Sequence, residues 1–207
     1  MVSPEPTLDR RRQRTRAALL QAGQSLFATR SVDAVSVDDI VGTAEVAKGS
    51  FYNHFTDKDE LAREIAAAIR AEVEALVDAT NRDIADPAVR MARAFAVYVR
   101  FAHDQPERAR AMLRLLAGAT LPDLPLNKGV RFDLEAGLAS GRFSGLPLQA
   151  ALLLVMGIVQ IGLIHVLEHP GDEAWIASIP LLAGELRGLG VPFEEAQALA
   201  RAAIHDV

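Results

Sequence analysis

The chain of 207 residues contains no cysteine, which excludes a disulfide framework and any zinc site built on thiolates. No stretch alternates apolar and polar residues as a strand would, and no internal repeat appears, so the expected fold class is all-α. There is no Gly-rich phosphate loop and no Ser-His-Asp arrangement, so no catalytic residues are expected. The amino end has no secretory pattern, because Arg10-Arg11-Arg12-Gln13-Arg14-Thr15-Arg16 leads into an ordinary amphipathic helix. With cysteine absent, the expected location is the cytoplasm.

Positive charge is in deficit too, with 22 Lys and Arg against 27 Asp and Glu for a net −5. The imbalance is uneven. Through Lys58 the chain carries 8 basic and 7 acidic residues, and the remainder carries 14 and 20. Five arginines lie between Arg10 and Arg16, an arm able to follow a phosphate backbone with salt-dependent affinity.

What the sequence does contain is concentrated between residues 36 and 58. Ser36 is placed to cap a helix whose first turn holds Asp38 and Asp39, carboxylates favoured at a helix N-terminus. Val37, Ile40, Val41 and Ala44 give it one apolar face. Glu45-Val46 reads as a turn, and a second helix is expected from Ala47 to Phe55, with Phe51 and Phe55 inward against Val46 and Ile40. That leaves Lys48, Ser50, Tyr52, Asn53 and His54 around a hydrophobic anchor, and Gly49 lets the helix approach a duplex closely. Asp57 at N-cap and Glu60 at N3 form a capping box for the next helix, with Lys58 in its first turn near a phosphate. Two short helices so decorated are what a helix-turn-helix reader of the major groove requires.

Residues 11–61 resemble the N-terminal domain of the tetracycline-repressor (TetR) family of bacterial transcription regulators. The resemblance rests on Leu20, Ala22 and Phe27, then Ser36-Val37-Asp38-Asp39-Ile40, then Lys48-Gly49-Ser50-Phe51-Tyr52-Asn53-His54-Phe55, and finally Lys58 and Leu61. It implies a three-helix DNA-binding domain over residues 1–58 and a larger helical effector-binding and dimerisation domain over residues 59–207. The implied DNA-contacting residues are Arg14, Ser36, Lys48, Gly49, Ser50, Tyr52, Asn53, His54 and Lys58. The implied partners are a palindromic double-stranded operator, a second copy of the chain and a small effector that releases the repressor; no cofactor, metal or membrane is implied. Ser31 and Glu45 stand where the family usually has Gly, and Ala47 where it usually has a capping Ser or Thr.

The remainder reads as helices. The first is expected from Arg10 to Thr29 with Leu19, Ala22, Gly23, Leu26 and Phe27 inward, and a long connector from Asp57 to Asp83. Asp86-Pro87 is a start signal for a helix ending near His103, and another opens at Pro106. A loop is expected over 118–125, then helices over 127–140, 146–168, 173–189 and 192–204. Leu146 to Leu167 has no charged residue and is long enough to span a bilayer. Pro147, Gln149, Gln160 and His165 interrupt it, so a buried or interfacial helix is expected instead. That helix and residues 173–189 are the expected dimer interface. Pocket candidates are Phe95, Tyr98, Met112, Leu116, Phe132, Met156 and Gln160, large or polar residues on apolar faces; their low charge suggests a hydrophobic effector. Two alternatives stand beside this reading. His165-Val166-Leu167-Glu168-His169 spells an inverted zinc-protease signature, which would make a metal-dependent hydrolase, and a DNA-binding dimer without effector is the other.

Overall fold

The computed structural model describes residues 5–115 and 128–206, with side chains from Arg10 onward. Among them are ten α-helices and no strand: α1 (Glu5–Thr29), α2 (Val37–Thr43), α3 (Lys48–Tyr52), α4 (Lys58–Thr80), α5 (Pro87–Asp104), α6 (Pro106–Leu115), α7 (Lys128–Ala139), α8 (Leu148–Glu168), α9 (Asp172–Gly188) and α10 (Phe193–Asp206). The expected loop over 118–125 lies outside the described residues. Helix α1 begins at Glu5 rather than Arg10. Pro6 falls in its first turn, where a missing N–H is tolerated.

Helix α1 packs on α4 and α6. A Cβ at Gly23 would stand 2.9 Å from the side-chain tips of both Ile65 and Leu61, so a larger residue there would make those tips shift. Leu19, Phe27, Ile40, Phe51, Phe55 and Leu61 are buried beneath the first four helices. Helix α5 is the hub of the body, touching α4, α6, α7, α8, α9 and α10. Asp86 caps it by accepting from the Ala88 N–H, with Pro87 in the first turn as the sequence implies.

Helix α8 has a mean hydropathy of 2.4 over its most apolar window, long and apolar enough to cross a membrane by composition. In the fold it packs against α5, α6, α7 and α9. One stripe of it, including Leu153 and Ile161, remains exposed, as does Ile176 on α9.

Polar ties join the helices. Arg142 donates to Asp86 at 2.8 and 3.0 Å and to Glu195 at 2.6 and 3.2 Å, linking the α7–α8 turn to α5 and α10. Hydrogen bonding from Arg142 holds the Asp86 carboxyl below its ordinary pKa. Arg108 grips Glu72 through two nitrogens at 2.8 and 2.6 Å and so fastens α6 to the connector α4.

Candidate nucleic-acid interface and internal cavity

Helix α2 starts as the sequence implies. The Asp39 N–H donates to Ser36 Oγ at 3.0 Å, and Ser36 N–H and Oγ–H both donate to Asp39 Oδ2, at 2.9 and 2.8 Å. These bonds lower the Asp39 pKa and make a complete capping box. They also give Ser36 a structural task, because its hydroxyl proton points at Asp39 rather than outward.

The turn after α2 runs through Glu45 at φ 54°, the one non-glycine residue with positive φ among those described. An L side chain there costs about 1–2 kcal/mol. Ala47 occupies the N-cap of α3 and makes no side-chain cap bond. Helix α3 is shorter than expected, ending at Tyr52, with Asn53 as its C-cap. Its last turn is completed by the His54 and Phe55 N–H groups donating to the Phe51 carbonyl.

Phe51 and Phe55 are buried as expected, their ring centroids 5.7 Å apart. Val46 is only half-buried at the edge of that cluster. On the other side Lys48, Gly49, Tyr52 and Asn53 are exposed, and Ser50 is half-buried. Tyr52 keeps 55% of its surface accessible while its ring stands edge-on to Phe51. A Cβ at Gly49 would meet nothing within 4 Å, so nothing in the free protein demands glycine there. Lys48 Nζ pairs with Asp38 at 2.8 Å, both side chains largely exposed. An exposed pair of this kind is worth about 0–1 kcal/mol, so phosphate can displace it easily.

His54 is half-buried rather than fully outward. Burial, then the charges of Arg12 and Arg16, lower its pKa. The shift favours the neutral ring at neutral pH. Arg14 is exposed on α1, whereas Arg16 pairs with Glu64 and lies 5.3 Å from the centre of the Phe55 ring.

Lys58 departs from the expectation. Its ammonium donates to the carbonyls of Val32, Asp33 and Val35 at 2.8, 3.2 and 2.9 Å. Three donors meet three carbonyls of the α1–α2 loop, so Lys58 holds that loop against α4 instead of reaching a phosphate. The sequence offers no sign of this, because the loop carbonyls come from residues more than twenty positions away. The α4 capping box is shifted as well. Asp57 accepts from the Glu60 N–H at 2.7 Å, but Glu60 reaches back to the N–H and hydroxyl of Thr56, at 2.6 and 2.7 Å.

The body holds a cavity of about 130 Å³, partly open to solvent, walled by α4 to α9. Phe95, Tyr98, Met112, Met156 and Gln160 line it, as expected. Phe132 does not. It is 65% exposed, because α7 turns Asp133, Leu134 and Gly137 inward. Leu116 lies outside the described residues. The expectation of little charge also fails, since Arg70, Glu74, Asp78, Arg90, Asp133 and Glu185 line the same space. Arg70 pairs with Glu74 at 2.8 Å and Arg90 with Asp133 at 2.6 Å, and the Tyr98 hydroxyl donates to Glu74. Burial raises the Asp133 pKa despite the Arg90 hydrogen bond. Glu185 was missed by sequence reasoning, though an acidic residue amid Leu182, Ala183 and Leu186 was the available signal.

His165 and His169 stack with ring centres 4.6 Å apart, and His169 Nδ1 lies 3.0 Å from the His165 carbonyl oxygen. No group of three or more metal-binding side chains occurs among the described residues.

Residues 19–65 match the family model described as bacterial regulatory proteins, tetR family. Over that segment the chain is similar to the tetR family. It is 33% identical over 75 residues to the HTH-type transcriptional repressor DhaR of Mycobacterium sp. (strain GP1), covering 36% of this chain and 38% of that one. The match thus spans less than half the length of that curated relative. RolR, solved in complex with resorcinol, is 26% identical with a TM-score of 0.59, covering 93% of this chain and 95% of that chain. A gamma-butyrolactone receptor at 22% identity and a TM-score of 0.68, covering 95% and 98%, shares the fold.

Proposed function

We propose that this protein is a dimeric, cytoplasmic transcription repressor that leaves its operator when a small molecule enters the body. The observation that carries this reading is α3, anchored from below by Phe51 while Lys48, Gly49, Tyr52 and Asn53 stand exposed above it. Residues 1–58 serve as the DNA-binding domain and residues 59–207 as the effector-binding and dimerisation domain. In this reading α3 lies in the major groove. Lys48 and Ser50 meet base edges or adjacent phosphates, and Tyr52, Asn53, His54 and Arg14 fix register on the backbone. Two copies related by a two-fold axis would read a palindrome with half-sites roughly 34–36 Å apart.

The exposed apolar residues Leu153, Ile161 and Ile176 on α8 and α9 support a second copy as their cover. Gly157 and Gly184 lie on the same helices, and a Cβ at either meets nothing within 4 Å. Gly184→Arg should therefore leave the protomer folded and shift the dimer toward monomer in sedimentation.

The cavity supports an effector, against a constitutive DNA-binding dimer. RolR with resorcinol is a relative that holds a small molecule. The effector must bind the operator-free state more tightly than the bound one, and the coupling is reciprocal.

Selection of bound duplexes from a random pool tests the reading, with recovery of a palindrome expected. Tyr52→Phe should weaken every selected operator about equally, by roughly 1 kcal/mol. A folded Tyr52 variant with undiminished affinity would sink the placement of α3.

A further inference from the structure

Glu185 is wholly buried at 0% exposure. Neither of its carboxyl oxygens has a hydrogen-bond partner among the described residues, and it lines the internal cavity. A lone buried carboxyl is costly to keep and is satisfied by a group that enters beside it. Every other acidic residue of the cavity wall that is buried or half-buried already has a partner: Glu74 holds Arg70 and Tyr98, and Asp133 holds Arg90.

Three further observations define what fits. The cavity of about 130 Å³ is close in size to an apolar cavity of about 150 Å³ that accepts benzene, so one ring fills it, beside a second hollow that shares Arg70, Glu74, Asp78 and Gly129. Both arginines of the lining are ion-paired within it, and four carboxyl groups face them, so an anionic ligand finds no free countercharge. Phe95, Val155, Val159 and Leu163 supply apolar wall.

We propose that Glu185 anchors the effector, and that the effector is a small, uncharged, single-ring molecule bearing a hydroxyl group, in chemical class a phenol. This rests on the ligand-responsive reading above and specifies its ligand. Burial alone pushes the Glu185 carboxyl well above its usual pKa, which favours the protonated form, and that form both donates to and accepts from a hydroxyl. An ammonium would demand that a full ion pair be desolvated, which costs several kcal/mol per ion. Neighbouring Gly184 faces outward on the same helix, so contact at Glu185 acts on the helix proposed to meet the partner.

The test is calorimetric titration of the full-length protein with phenol, toluene, benzoate and benzylamine, repeated for Glu185→Leu and Glu185→Gln. Wild type should bind phenol, and bind benzoate and benzylamine more weakly. The ratio of phenol to toluene affinity should fall about tenfold in Glu185→Leu, the value of one buried hydrogen bond. It should stay within about threefold of wild type in Glu185→Gln, which keeps a donor and an acceptor. An unchanged ratio in Glu185→Leu, tighter benzylamine or benzoate than phenol, or no saturable binding of any probe overturns the proposal. Operator affinity measured with and without phenol separates the two readings. Binding through Glu185 with no effect on DNA upholds the anchor and rejects the regulatory reading. Release of DNA by phenol with the ratio unchanged in Glu185→Leu does the reverse.

Discussion

In the helix-turn-helix region most polar side chains point outward or cap short helices, Lys58 alone turning in to hold the α1–α2 loop, and the packed side chains beneath are apolar. In the body, polar groups are driven inside. Arg90, Asp133, Asn81 and Glu185 are buried or nearly so, and three of the four are tied by hydrogen bonds between helices. The first region is local. Ser36 with Asp39, and Phe51 with Phe55, act across three or four residues. The second is long-range, with Arg142 reaching Asp86 and Glu195 across more than fifty positions. A surface that must stay open to a rod-like polyanion needs short, capped, outward-facing elements. The body, proposed to hold a small molecule, keeps an unpartnered carboxyl at Glu185 in its interior.

The sharpest way to break that contrast is Phe51→Ala. Removing a ring with 0% exposure from the small apolar cluster should cost about 3–5 kcal/mol. Urea unfolding followed at a helix-turn-helix probe should show it; a loss under 1 kcal/mol means Phe51 is not the anchor of α3. Lys58→Met comes next. It strips three loop carbonyls of their donor and should cost about 2 kcal/mol. The salt dependence of operator binding should be unchanged; a slope reduced by about one phosphate contact would return Lys58 to the duplex.

The body is probed by pH. In the folded state Glu185 holds its proton above the ordinary value of 4.5, where the unfolded chain has released it. Wild-type stability is therefore favoured by Glu185 below that value and loses ground as pH rises through it. Glu185→Gln removes the linkage, so over the pH range above 4.5 its stability relative to wild type should rise with pH, by up to about 1.4 kcal/mol per pH unit while the folded carboxyl keeps its proton. Parallel melting curves across that range would show the carboxyl is not desolvated. The smallest effect is at the turn. Glu45→Gly relieves the left-handed backbone and should stabilise by about 1 kcal/mol; a destabilised variant would mean the side chain is needed there.

The candidate interface was largely readable because its signals are periodic and short. Ser36, Asp57, Pro87 and the Phe51–Phe55 pair act within a turn of chain, where hydrogen-bond geometry follows from spacing. Lys58 defeated the same reasoning because its partners are set by how α1 meets α4. Phe132 failed through helical phase: Asp133, one position on, was the residue turned inward to meet Arg90.

Sequence alone determined that this chain is helical, where most helices start and stop, and which short segment leaves Lys48, Gly49, Tyr52 and Asn53 exposed over a buried Phe51, since all of these depend on neighbours three or four residues away. Only the tertiary structure decided that Lys58 is a clasp, that charged pairs line the cavity and that Glu185 stands alone within it. Those outcomes depend on which distant helix faces fall opposite one another, and no local spacing encodes that.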